Sequence, residues 1–313
     1  MAPFVVKLTK RIPMTTAASI SIKPSDNVKG VLLALVSTGL FAIVAAMAKI
    51  AVTEFHVLQI LLFRQLVVLA SCLPQLQQDF PRVLTTQHPK LHAARLMGAF
   101  TALSCGIWAV AVLPLTTAIT LGFAQVFFVT LLALLVLKET VSRHRIIAVI
   151  FGFIGVVVVM RPGINGLFNA YALIPLLGAA GAAVAVISVR KLSQTEKTAT
   201  LLIYQAVFVG LLAAIPLIWF WQTPDLKEAL FLLLMGVIAT AGQWIGVKSL
   251  RVGEASVIGN IQYVGLIYAT ILGFVFFREV PDVFTLIGAT FIVGSSLYML
   301  HIERKTTTNR HAA

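Results

Sequence analysis

The sequence predicts an all-α integral membrane protein: ten transmembrane helices arranged as two inverted five-helix repeats. Three observations predict it. First, the 313 residues are 59% hydrophobic and only 11% charged, with a mean hydropathy of +0.98, outside the range of water-soluble domains. Second, the apolar residues fall in ten segments of the length, about 20 residues, that a helix needs to cross a roughly 30 Å hydrocarbon layer. Third, the last five segments repeat the first five about 140 residues later. Leu137-Lys138-Glu139 returns as Phe277-Arg278-Glu279, Gln65 as Gln205, Thr117-Ala118 as Glu254-Ala255, and Gln125 as Gln262. A repeat with an odd number of crossings inserts upside down relative to its twin. Inverted halves are a hallmark of secondary transporters, whose site lies between the halves near the bilayer midplane.

In chain order, spans are predicted over 30–50, 55–76, 95–113, 116–137, 145–161, 170–190, 200–222, 230–250, 255–277 and 283–302. Span one lies between Lys29 and Lys49, and span two follows His56 and carries Arg64. Span three opens on Arg95, and span four closes on Lys138-Glu139. Span five runs from Arg145 to Arg161, and span six ends on Arg190-Lys191. Span seven follows Lys197, span eight ends at Lys248, span nine at Arg278-Glu279, and span ten before Arg304. This divides the chain into a basic N-terminal tail (1–29), a first repeat (30–163), a second repeat (164–302) and a polar tail (303–313). The first 29 residues lack the apolar stretch of a cleavable signal peptide, and Met14 is an alternative start. A large soluble helical core is excluded, because it cannot supply ten such faces with so few charges.

The net charge of +13 is topological and does not mark a nucleic-acid surface. With the N-terminus in the cytoplasm, only Lys49, Arg161, Lys227 and Arg278 fall on the outer side, and Arg64 lies within a span. The other Lys and Arg are cytoplasmic, as the positive-inside rule requires of a bacterial inner-membrane protein with both termini inside. Cys72 and Cys105 sit within spans with no CxxC and read as buried small side chains. The six His lie at span ends or in loops, so no metal site and no cofactor is predicted.

The stretch from Arg95 to Gly163 carries a family resemblance. An arginine opens span three, Leu113-Pro114-Leu115-Thr116-Thr117-Ala118 forms an elbow, Lys138-Glu139 closes span four, and Arg161-Pro162-Gly163 follows span five. It resembles the first EamA-type domain of the drug/metabolite transporter superfamily, and Ile261 to Tyr298 is similar to that family's closing segment. The resemblance covers about residues 30–302. It implies a ten-helix bundle whose central cavity is lined mainly by spans three, four, eight and nine. Relatives often carry a proline just after the position of Gln125. Here it is Val126, which counts against a broken helix in span four.

The polar residues at mid-span are the candidate site. Gln125 lies near the middle of span four, and Gln262 with Tyr263 near the middle of span nine. Gln243 and Trp244 lie in span eight, and Trp108 and Ser104 in span three. An unpaired amide in hydrocarbon costs several kcal/mol, on the order of 2–7. Gln125 and its repeat mate Gln262 therefore either face a wet cavity or bond across helices. Trp108 and Trp244 either stack on a ligand or fill the bundle. Arg64 is read as structural or gating, with Glu54 or helix-end carbonyls as partners, and Gln65 and Gln205 are placed with it. Lys49 is expected to snorkel to the interface.

All eleven acidic residues lie in loops or at span ends, which disfavours proton-coupled export of cationic drugs. The predicted function is a secondary transporter that moves a small neutral or mildly anionic metabolite by alternating access. Among the substrate classes of the resembling family, riboflavin uptake suits a pocket of amides and aromatics; export of amino acids or related metabolites is the alternative. No His/Asp or Ser-Lys constellation supports a membrane-embedded enzyme, and a non-transporting scaffold is the remaining class. The partners expected are a small-molecule substrate and the lipid bilayer, with monomer and homodimer both open.

Overall fold

The computed structural model describes residues 24–81, 85–86, 88–136, 143–160, 170–192, 195–252 and 261–312. Within them the chain forms helices α1 (Pro24–Ala51), α2 (Val57–Asp79), α3 (Pro89–Val112), α4 (Leu115–Gly122), α5 (Gln125–Val136), α6 (Arg143–Met160), α7 (Leu173–Leu192), α8 (Thr198–Phe220), α9 (Leu226–Val252), α10 (Val264–Phe277) and α11 (Val283–Ala312), with a 3-10 turn at Ala170–Ala172. There is no strand among the described residues. Seven stretches are long and apolar enough to cross a membrane, and shorter apolar helices at Ile146–Met160, Val264–Phe277 and Val283–Ser295 occupy the positions of spans five, nine and ten. The motif residues Lys138-Glu139, Arg161-Pro162-Gly163 and Glu254-Ala255 lie outside the described residues, as does the tail up to residue 23.

Three boundaries differ from expectation by six residues or more. α1 is already helical at Pro24, the first described residue and six residues before the expected start. α3 begins at Pro89, six residues before Arg95, because proline suits the first helical turn, where its missing N–H costs nothing. α11 continues to Ala312 through the polar tail, since a formed helix propagates at little cost.

A larger correction concerns span four, which is broken despite Val126. The helix ends at Gly122, and α5 starts at Gln125. Across the break the backbone switches to i−3 hydrogen bonds. Ala124 N–H reaches Leu121 O at 3.0 Å, Val126 N–H reaches Phe123 O at 3.1 Å, and Phe127 N–H reaches Ala124 O at 3.0 Å. This tighter winding re-aims the helix without a proline. Span nine does the same where α10 begins, with Gly265 N–H on Gln262 O at 2.9 Å and Leu266 N–H on Tyr263 O at 3.1 Å.

The helices pack in a definite set of pairs: α3 on α7, α1 on α9, α6 on α11, α2 on α8 and on α9, α5 on α7, and α1 on α10. Two of these contacts rest on facing glycines. A Cβ added at Gly98 of α3 would fall 2.6 Å from Gly181 O of α7, and one at Gly288 of α11 would fall 2.6 Å from Gly155 O of α6. Such close approach is the means by which helices associate where lipid offers no hydrophobic driving force.

Side-chain bonds mark the two ends of the bundle. At one end Gln59, at the start of α2, clasps the backbone of Gln222 after α8, with Nε2 on its O at 2.5 Å and Oε1 on its N–H at 3.2 Å. At the other end Lys197, before α8, reaches Asp79 of α2 at 2.8 Å.

Candidate functional site

Two cavities meet inside the bundle where spans four and nine break. The first, of about 600 Å3, is walled by α1, α3, α4, α5 and α7, with Arg64 reaching in from α2 and Gln262 and Tyr263 from the break before α10. Its lining is mostly apolar; Arg64, Gln125, Gln262, Tyr263 and Thr130 supply the polar groups. The second, of about 500 Å3, lies among α1, α4, α9 and the start of α10, and includes Ser37, Gln243 and Ser249. Phe41, Ile119, Phe123 and Gln262 belong to both. The rings of Phe123 and Tyr263 meet at 5.0 Å between centroids, tilted by 50°. The two interrupted helices therefore touch through an aromatic contact, and one glutamine is shared by both cavities. Spans one and six contribute walls that the family pattern did not suggest, and span eight reaches only the second cavity.

The structure brings together Gln125, Gln262 and Tyr263 on the first cavity and Gln243 with Gln262 on the second. It does not bring the remaining candidates there. Trp108 is 50% exposed and Trp244 is 40% exposed, and neither lines either of these cavities. Ser104 donates to Phe100 O at 2.7 Å within its own helix. Gln65 is buried against Gly210 of α8, and its Oε1 has no hydrogen-bond partner. Gln205 accepts from Arg95 at 3.2 Å, while Arg95 also donates to Leu201 O at 2.9 Å. That pair ties α3 to α8 and lines neither cavity.

Arg64 departs from expectation. Glu54, its anticipated partner, is exposed in the turn after α1. Among the described residues the Arg64 guanidinium makes no ion pair and no hydrogen bond, to a helix-end carbonyl or otherwise. It is also the one formally charged side chain in the lining of the first cavity among those residues.

Lys49 does not snorkel. It pairs with the Glu279 carboxylate, donates to Leu113 O at 2.8 Å and lies 5.3 Å from the centre of the Phe277 ring. Glu279 in turn accepts the backbone N–H of Leu115 at 2.8 Å. The cluster gathers the ends of α1, α3, α4 and α10. At the opposite end His92, buried in the first turn of α3, meets Glu196 at 2.5 Å, and Thr86 donates to the same carboxylate at 2.5 Å. Burial pushes the Glu196 carboxyl up. The hydrogen bonds from Thr86 and His92, with the charges of His92 and His88, outweigh that and hold it below its ordinary value. No sequence spacing signals either cluster, since Lys49 and Glu279, like His92 and Glu196, are distant in the chain.

Among the described residues no three His, Cys, Asp or Glu side chains converge as metal ligands. Cys72 and Cys105 are buried and unbridged.

Comparison with known proteins agrees with this architecture. The chain is 26% identical over 265 residues to the S-adenosylmethionine uptake transporter of Rickettsia prowazekii (strain Madrid E), covering 85% of this chain and 90% of the relative. It is 29% identical over 277 residues to the pseudopaline exporter CntI of Pseudomonas aeruginosa (strain UCBPP-PA14), covering 88% and 97%. It is 28% identical over 274 residues to the riboflavin transporter of Vibrio cholerae serotype O1, covering 85% and 90%. A solved structure, described only as the crystal structure of a protein, shares the fold with a TM-score of 0.58 at 16% identity, over 90% of this chain and 98% of its own. The model of the EamA-like transporter family matches twice, over residues 28–161 and 169–300, and the chain belongs to that family.

Proposed function

We propose that this protein is a secondary transporter that moves a small polar metabolite, neutral or mildly anionic, across a bacterial inner membrane by alternating access. The observation that carries the reading is the junction of the two cavities. Gln125 and Gln262, repeat mates in the sequence, stand at two helix breaks and face the same space. Interrupted helices flanking a central site are how transporters place polar groups inside a membrane. Phe123 lines both cavities and meets Tyr263 of the first, so a shift of that ring would alter the passage between them, and opening one cavity at a time would expose Gln262 to each side in turn.

The packing supports two inverted repeats at 30–163 and 164–302. Exchanging each helix for its repeat mate turns the α3–α7 contact into α9–α1 and the α5–α7 contact into α10–α1, while the α2–α8 and α6–α11 contacts map onto themselves. The basic residues favour cytoplasmic termini: Lys29, Lys90, Lys191, Lys197 and Lys248 share one end, and Lys49, Lys227 and Arg278 the other.

Riboflavin uptake is the first substrate to try, since amides read ring carbonyl and imide edges and Phe123 and Tyr263 offer faces for stacking. The experiment is riboflavin uptake by a bacterium that neither makes nor imports the vitamin, comparing this chain, Gln125→Ala and an empty vector at matched membrane expression. Uptake conferred by the chain and lost in Gln125→Ala is the expected result. Full activity in Gln125→Ala would remove the amide from the site, and absent uptake would turn the search to metabolite export.

A further inference from the structure

We infer that Arg64 is the docking point for a substrate carboxylate, so that the first cavity prefers a ligand that carries one carboxylate over the same molecule without it. The inference rests on the transport reading above and narrows its substrate class. Three observations on Arg64 carry it. The residue lines the cavity together with Gln125, Gln262 and Tyr263. No other formally charged side chain lines that cavity among the described residues. Its guanidinium meets no carboxylate and no hydrogen-bond acceptor among them, and Glu54 is directed elsewhere, exposed in its turn.

An arginine inside a membrane is stabilised by a counter-ion or by water. Among the described residues no side chain supplies a counter-ion, so in the resting cavity water solvates the head group. A ligand that displaces this water without bringing negative charge leaves the cation stranded in a low-dielectric site, which is costly. A ligand with a carboxylate replaces the water with a bidentate, charge-assisted pair matched to the planar fork of arginine. The stoichiometry favours a single carboxylate. One cation neutralises one carboxylate, whereas a phosphate monoester would carry a second negative charge with no second basic side chain among the described lining residues to meet it. A cationic drug meets repulsion from Arg64 and no carboxylate among those residues. The remainder of the ligand has amides at Gln125 and Gln262 for its polar atoms and the rings of Phe41, Phe123 and Tyr263 for a flat or apolar body. A cavity of about 600 Å3 lies within the range that encloses a small metabolite.

The test uses the full chain in lipid nanodiscs for binding and in proteoliposomes for counterflow. The probes are L-tryptophan and indole-3-acetate, the primary amide of each, and riboflavin as a flat neutral comparator. The expected result is that each acid binds and exchanges at least tenfold better than its amide. In Arg64→Gln the ratio falls below twofold, and in Arg64→Lys, which keeps the charge and loses the fork, it lies between. If Arg64→Gln does not fold, the wild-type ratio and Arg64→Lys decide the matter. Acids and amides handled equally by the wild type, or riboflavin moved with Arg64→Gln unimpaired, would overturn the assignment and leave the transport reading standing. A folded protein that binds and moves none of the probes would overturn both.

Discussion

The Glu279 carboxylate accepts the backbone N–H of Leu115 at 2.8 Å, joining the end of α10 to the first turn of α4. The local backbone aims it there. Arg278 adopts the left-handed conformation at φ 57, and Glu279 N–H bonds Gly273 O at 3.0 Å, which stops α10 and folds the chain back. The acid then sits where a helix N-terminus favours negative charge, with the Lys49 ammonium on its other oxygen.

Both partners of that cluster are largely buried, so removing one strands the other. Glu279→Ala should cost about 2–3 kcal/mol of unfolding free energy and Lys49→Ala about 1–2 kcal/mol. The double variant should cost less than the sum by about 1–2 kcal/mol. Denaturant unfolding of the four proteins in detergent closes the cycle, and strict additivity would show the contact to be idle.

Acid should loosen the opposite end. The Glu196 carboxyl is held below its ordinary value of 4.5 in the folded protein. Its contribution is therefore complete above the unfolded-state value and is lost as the pH falls through the lower, folded-state one. Melting temperature measured from pH 6 downward should begin to fall near pH 4.5 through this group, and Glu196→Gln should flatten that limb. An unchanged acid limb in the variant would assign the acid sensitivity to other carboxylates.

The Gly98–Gly181 contact leaves no room for a side chain on α3. Gly98→Val should push α3 from α7 and cost about 1–3 kcal/mol or more, whereas Gly294→Ala, where an added Cβ meets nothing within 4 Å, should be neutral. Thermal melts of the two variants give the comparison directly.

Gln65 carries an amide oxygen with no partner in a buried site. Replacing it with a methionine of similar shape removes a desolvated polar group, so Gln65→Met should be neutral or stabilising by about 1 kcal/mol. Flux measured beside stability separates its roles. Unchanged flux identifies Gln65 as structural, and lost flux at full stability identifies it as part of the moving machinery.

How much of this was legible in the sequence follows from what membranes do to sequence patterns. Hydropathy sums over a span because transfer from water to lipid is local and additive, so the ten apolar segments, their boundaries near basic residues and the repeat offset linking Gln125 to Gln262 could be read directly. The direction in which each side chain points could not. In a soluble helix the buried face is apolar and the outer face polar, and the period betrays the orientation. In this chain lipid and core are both apolar, so Trp108 and Trp244 could not be told from cavity-lining aromatics until the packing left both out of the two cavity walls.

The sequence by itself determined the membrane class of the protein, its apolar segments, its duplication and the repeat mates Gln125 and Gln262, because these depend on composition along the chain. Only the tertiary structure decided that span four breaks without a proline, that Arg64 faces a cavity unpaired, and that Lys49 meets Glu279 and His92 meets Glu196. Each of these depends on which helices lie side by side, and that is settled by close backbone approach at positions such as Gly98 and Gly181, whose meaning appears only when both are in place.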